Sequence, residues 1–224
     1  MAKNFNHPKV VAAYDEHIRK LIPGYELVHL QIQAILKSRL PVDAKLLIVG
    51  CGTGYELSYL LDQFPSMTLV AIDPALEMLQ HAQHNLSNRA DVSRVEFIHT
   101  DTQGLDAFSN HFDAVLSILV SHFIAEESKT NFFNDIAKVL KPNGLCINFD
   151  LVQIDNEANK IALKYLTESI GLPASQSQAM LDRLEDDFHL ITVDTLKAIY
   201  HQAGFKKVET YTQILNFYGF IAIK

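Results

Sequence analysis

The stretch Leu46-Leu47-Ile48-Val49-Gly50-Cys51-Gly52-Thr53-Gly54-Tyr55-Glu56 constrains this chain more than any other. A short, unbroken apolar run reads as a strand buried on both faces, and the three alternating glycines lead straight into a helical pattern. Glycine reaches positive φ without strain and carries no Cβ to hold a ligand away. The first turn of the following helix offers N–H groups with no intrahelical partner. A tight turn needs fewer glycines than this, so the loop is expected to receive a ligand closely. The dinucleotide fingerprint Gly-x-Gly-x-x-Gly is not met, because its third glycine would fall at Tyr55. That spacing favours a ligand without a pyrophosphate and argues against a nicotinamide oxidoreductase.

From Lys45 onward, short Val/Ile/Leu-rich runs alternate with helical spacing. Strands are expected over residues 45–49, 68–72, 95–99, 114–119 and 145–149, and helices over 55–64, 75–85 and 126–140. The last helix is followed by the stop-and-turn signal Lys141-Pro142-Asn143-Gly144. A helix over 193–203, then runs over 207–211 and 217–223 with a short connection, suggest an antiparallel pair at the end. The fold class is therefore α/β. It is a Rossmann-like, doubly wound, seven-stranded sheet, mostly parallel with an antiparallel C-terminal edge strand. A single domain spans 1–224. Helices over 10–21 and 26–40, broken at Ile22-Pro23-Gly24-Tyr25, are expected to form a helical lid within 1–44. Helices over 156–170 and 177–185 form a second covering element, an insertion over 151–190.

The formal charge of −7, from 26 acidic and 19 basic residues, argues against direct binding of nucleic acid by phosphate neutralisation. The only two cysteines, Cys51 and Cys146, lie in apolar runs and suggest neither a disulfide nor a metal site. With no signal-peptide pattern and no apolar run of about 20 residues, a cytoplasmic protein without membrane association is expected. A homodimer is left open.

Asp73-Pro74 closes the second strand run, at a distance from the glycine loop where a carboxylate can accept from both hydroxyls of a ribose. Capping of the helix that follows is the competing role. Asp101-Thr102 stands in the same relation to the third strand and is a candidate for the adenine amino group, with an ordinary loop or cap as the alternative. His122, just after the fourth strand, is the candidate general base, since imidazole titrates near neutrality; beside Phe123 it could equally be a packing residue. Tyr14 and Tyr25 are candidates to close over a ligand, Tyr25 the better one. No metal site is expected, although Asn148 and Asp150 share one face of a strand.

The glycine loop, Asp73 and Asp101 together resemble the successive motifs of class I S-adenosylmethionine (SAM)-dependent methyltransferases over about residues 45–149. The resemblance implies that the methionine part of SAM lies along Gly50, Cys51, Gly52 and Gly54. It places the ribose at Asp73-Pro74 and the adenine near Asp101-Thr102, with residues after the fourth strand facing the methyl. The segment Ser117-Ile118-Leu119-Val120-Ser121-His122-Phe123 has neither a Pro-Pro-Tyr motif nor a Pro-Cys pair, which favours a small-molecule acceptor over a nucleic-acid base. Nearly end to end, the chain is also similar to carboxy-SAM synthases, which make a carboxymethyl donor for transfer-RNA wobble uridine from SAM and prephenate. That similarity rests on Ile22-Pro23-Gly24-Tyr25, Ala71-Ile72-Asp73, Ser175-Gln176 with Met180-Leu181, Ala203-Gly204-Phe205 and Asn216-Phe217-Tyr218-Gly219. It implies cofactor contacts at Tyr25, at a polar residue matched here by Ile118, and at an arginine matched here by Gln178. Glutamine supplies no charge to an extra carboxylate. The leading expectation is methyl transfer to a small acceptor. Carboxy-SAM synthesis and non-catalytic SAM binding are the alternatives.

Overall fold

The computed structural model describes residues 14–154 and 156–224. The strands are β1 (Lys45–Val49), β2 (Thr68–Asp73), β3 (Val95–His99), β4 (Phe112–Ile118), β5 (Leu140–Leu151), β6 (Lys207–Ile214) and β7 (Phe217–Ile223). The helices are α1 (Tyr14–Leu21), α2 (Tyr25–Arg39), α3 (Tyr55–Gln63), α4 (Leu76–Leu86), α5 (Glu126–Val139), α6 (Glu157–Ser169), α7 (Ala174–Asp186) and α8 (Val193–Gln202). Residues 10–13 of the expected first helix lie outside the described residues.

β1 is apolar throughout its buried part because it has a core on each side. Leu46 and Ile48 join one apolar cluster with Leu36 of α2, Leu57 and Leu60 of α3 and Leu79 of α4. Leu47 and Val49 join the opposite cluster, with Phe132, Phe133 and Ile136 of α5 and Leu196 and Ile199 of α8. At about 25 cal/mol per Å² of apolar surface, burial on both faces accounts for the unbroken run that a one-sided strand would alternate.

The sheet order is β3-β2-β1-β4-β5-β7-β6. β1 pairs in parallel with β2 and β4, β2 with β3, and β4 with β5. β7 runs antiparallel to both β5 and β6. The antiparallel C-terminal strand is therefore present, one place in from the edge, and β6 closes the sheet. Leu215 at φ 53° makes the tight return between the two. The expected stop at Lys141-Pro142-Asn143-Gly144 is absorbed into β5. Phe112 pairs with Leu140, the register slips, and pairing resumes at Ala114 and Leu145, with Asn143 at φ 62° inside the excursion. β5 thus begins five residues earlier than its apolar pattern indicates.

The reversal of connection around β1 and β4 puts a crevice above the carboxyl ends of the central strands, where ligands of such sheets bind. Among the described residues, no helix is long and apolar enough to cross a membrane.

Candidate functional site

β1 delivers the glycine loop to that crevice. Each glycine is bare for a different reason. A Cβ on Gly50 would come within 2.6 Å of Val120 Cγ2, from the chain leaving β4. One on Gly54 would meet Ala82 Cβ at 3.1 Å and Leu86 Cδ1 at 2.9 Å, so this glycine lets α3 pack closely on α4. Only Gly52, at φ 52°, has open space where its Cβ would stand. The loop is tied to the neighbouring strand end, since Gly50 N and Cys51 N both donate to Ile72 O, at 2.9 and 3.0 Å.

Asp73, the last residue of β2, is buried and reaches over the loop. Its Oδ2 accepts from Gly52 N at 2.9 Å and its Oδ1 from Ala75 N at 2.8 Å. Burial pushes its carboxyl up, against the two N–H groups that favour the ionised form. Helix capping does not account for Asp73, because α4 starts at Leu76 and its N-cap, Ala75, has no side-chain cap. Asp101, by contrast, does cap. It accepts from Gln103 N at 2.9 Å at the start of the 3-10 segment Thr102–Phe108. The Cys51 side chain turns into the core, where burial, helped by the Asp73 and Glu56 charges, drives its thiol far above the usual range.

A cleft of about 600 Å³ opens beside these groups, with Gly50, Pro74, Asp101, Thr102, Val120 and Phe123 in its wall. The sequence-derived residues thus divide. Gly50, Pro74, Asp101 and Thr102 line the cleft, and Asp73 grips the backbone at Gly52. Cys51, Gly52, Gly54, Asp73, Tyr25 and Ile118, also expected at the cofactor, do not line it. Tyr25 is buried and donates its hydroxyl to Glu56 Oε1 at 3.2 Å, where His29 Nε2 also binds at 3.0 Å. Ile118 packs in the core with Leu46 and Ile48. Gln178 is exposed on α7, where its Oε1 accepts from Lys164 Nζ of α6 at 3.2 Å and its Nε2 donates to Asp182 at 3.1 Å. Nothing is described of the Tyr14 side chain.

Beyond β4 the backbone turns sharply. Leu119 at φ 58° takes the left-handed conformation that a leucine adopts only at a cost, about 1–2 kcal/mol. Val120 then lies over Gly50, and Ser121–Phe123 form a single 3-10 turn. That turn wraps Asp150 near the end of β5. Asp150 Oδ2 accepts from Ser121 N at 2.5 Å, Ser121 Oγ at 2.6 Å and His122 N at 3.2 Å; Oδ1 accepts from Leu151 N at 2.8 Å and binds His122 Nδ1. Burial alone would raise the Asp150 carboxyl, yet the His122 ring and these donors hold it below its ordinary value. Lys129 Nζ binds the carbonyl of Ser121 from α5. His122, Asp150 and Lys129 are 5%, 1% and 2% exposed.

With Nδ1 committed to Asp150, His122 Nε2 is the nitrogen left for exchange with a ligand. His122 lines a small chamber of about 60 Å³, walled mainly by apolar side chains of α1 and α7, including Ile18, Leu21, Met180 and Leu184, with Phe123 and Phe188. The two rings flank the imidazole at centroid distances of 4.0 and 4.7 Å. Phe123 belongs to both this chamber and the large cleft.

Sequence reasoning noticed Asp150 only as a poor metal ligand and missed Lys129 and Val120. Lys129 carried a signal. Positions 129, 132, 133, 136 and 137 form the buried stripe of α5, and a lysine there stands where an apolar residue belongs. Among the described residues no acidic, His and Cys cluster could hold a metal ion.

Residues 46–144 match the family described as "Methyltransferase domain". A carboxy-S-adenosyl-L-methionine synthase of Chromohalobacter salexigens is 24% identical over 228 residues, covering 96% of this chain and 82% of that protein. Among solved structures, an O-methyltransferase family protein from Burkholderia thailandensis has a TM-score of 0.70 at 16% identity, covering 98% of this chain and 61% of that one. Phosphoethanolamine N-methyltransferase 2 of Haemonchus contortus, solved with SAM, has a TM-score of 0.66 at 20% identity, covering 95% and 46%. The chain therefore spans under two thirds of either solved protein, and at these identities what it shares with them is the fold. Residues 46–144 thus match a methyltransferase domain, in a chain that resembles carboxy-SAM synthases along nearly its whole length.

Proposed function

We propose that this protein transfers the methyl group of SAM to a small, largely apolar acceptor whose attacking atom must lose a proton. The observation that carries this is the pairing of two spaces across Phe123. On one side lie Gly50, Pro74, Asp101 and Thr102, next to the loop that Asp73 grips at Gly52; on the other, an apolar chamber is lined by His122, whose ring is paired with the buried Asp150. The open space at Gly52 fits a ligand lying against backbone, and the lone pairs left on Asp73 fit a ribose diol. In this reading residues 50–54 carry the methionine part, Asp73-Pro74 the ribose and Asp101-Thr102 the adenine, while Tyr25, through Glu56, and Ile118 support the loop from behind.

SAM supplies an electrophilic methyl on a leaving group already in place, so the protein mainly aligns and excludes water. His122 takes the proton of the acceptor at Nε2, and Asp150 fixes the tautomer that makes this nitrogen available. Helices α1 and α7, with the neighbouring segments within 1–44 and 151–190, act as covers that shut the acceptor from solvent. Two buried, unbridged cysteines are in keeping with a cytoplasmic location.

The test is native mass spectrometry of the freshly purified protein, followed by denaturation and identification of what is released. An acceptor screen then reads S-adenosylhomocysteine formation. SAM or S-adenosylhomocysteine is the expected occupant. Carboxy-SAM would promote the synthase activity instead, a reading supported by the full-length relatives and opposed by Gln178, which bonds Lys164 and Asp182 on the outer side of α7. Failure to bind SAM would overturn both.

A further inference from the structure

Lys129 has no evident reason to be buried. It stands on the apolar stripe of α5, 2% exposed, where a leucine or methionine would pack without desolvating a charge. Its ammonium binds one atom of the dyad's surroundings, the carbonyl of Ser121. That carbonyl and the N–H of His122 are the two ends of a single peptide group, and the N–H donates to Asp150 Oδ2 at 3.2 Å. Asp150 in turn holds His122 Nδ1 on its other oxygen. A continuous chain therefore runs from Lys129 through one peptide unit to Asp150 and back to the imidazole. In such a chain each bond polarises the next.

The charges facing His122 are few. They are Asp150 from β5; Lys129 and, nearer its own ammonium, Glu126 from α5; and Arg183 of α7 on the chamber wall, where it pairs with Asp187 at 2.6 Å. Tyr200 of α8 lies near Asp150 with its hydroxyl held neutral by burial. His189 touches His122 through its backbone N–H, which donates to the His122 carbonyl at 2.8 Å, and α1 brings Ile18 and Leu21. A buried carboxylate with an imidazole as its sole cationic partner favours the imidazolium, which cannot accept a proton. Burial pulls the Lys129 pKa below its ordinary value while the Asp150 and Glu126 charges oppose this; where it carries its proton, this second cation satisfies the carboxylate and makes protonation of the ring costly.

We propose that Lys129 is a positioning residue that neutralises Asp150 through the Ser121–His122 peptide, so that His122 is kept as a free base. This rests on the methyl-transfer reading for its purpose, but its test does not require the acceptor. The His122 ring resonances are followed by NMR as pH is varied, in the whole protein and in Lys129→Met, whose side chain matches the lysine stem. The titration midpoint is expected to rise by about 1 pH unit or more in Lys129→Met and to stay within about 0.3 unit in Lys129→Arg. An unchanged midpoint in a folded Lys129→Met protein overturns the proposal.

Should Lys129→Met fail to fold, the nitrogen resonance of Lys129 in the unaltered protein decides. A protonated ammonium across the range in which His122 titrates supports the role, and a neutral amine there overturns it. Absence of SAM binding would remove the methyl-transfer reading while leaving these titrations as they are, so the two failures are distinguishable.

Discussion

The cleft beside the glycine loop and the chamber around His122 are built on opposite plans. The cleft is large, mixed polar and apolar, and lies between the strand ends and loops at Gly50, Pro74 and Asp101 and one side of α5. The chamber is small, mostly apolar and walled by α1 and α7, with His122 joined to a buried charged cluster and Arg183 paired separately with Asp187. A ligand that every related enzyme must hold can be met by backbone, which tolerates changes of side chain. A ligand particular to one enzyme has to be met by side chains, and those come from the variable parts of the fold.

The sharpest way to break this contrast is His122→Gln. With an acceptor in hand, turnover is expected to fall by about 10²- to 10⁴-fold, with SAM affinity unchanged within about twofold. Equal turnover would make the chamber a packing feature. Asp150→Ala removes the anion at the centre of the cluster and is expected to cost about 3–5 kcal/mol in urea denaturation, the scale for breaking a buried charge pair; a loss under about 1 kcal/mol would show that the chamber does not depend on it.

At the glycine loop, Gly52→Ala should weaken SAM binding by about tenfold or more in calorimetry, at a stability cost near the 1–2 kcal/mol of a left-handed non-glycine residue. Gly54→Ala should lose more stability, because its Cβ strikes α4. If the two variants bind and unfold alike, the space at Gly52 is not where the ligand lies.

The smallest effect concerns the link between α2 and the loop helix. Burial is the largest single influence on His29 and lowers its pKa, but the hydrogen bond and charge of Glu56 and the Tyr25 carbonyl outweigh it, so the imidazole lies above its usual 6.5. The folded chain thus binds this proton more tightly than the unfolded one. The stabilisation is complete below about pH 6.5 and fades as pH rises through the raised value. His29→Gln should cost about 1 kcal/mol near pH 6 and measurably less near pH 9. A gap that widens with pH would mean the pair is not an ion pair.

The same contrast explains what could be read in advance. The strands and the loop were legible because β1 and its neighbours announce themselves locally, through apolar runs ending in glycine or aspartate. β5 was read short, because Pro142 and Gly144 look like a turn, and only the pairing of Leu140 with Phe112 shows that the strand has already begun. The sequence marks Tyr25 as a cofactor candidate but does not announce that its hydroxyl donates to Glu56, a partner 31 residues away that no local pattern names. The union of Lys129, Ser121 and Asp150 was out of reach for the same reason. It needs the register of β4 against β5 and the docking of α5, both fixed by tertiary packing.

Phe123 gives the two spaces a common wall. A rotation of that ring alters the wall of both spaces at once. A ligand resting against the ring on one side therefore bears on the wall of the other.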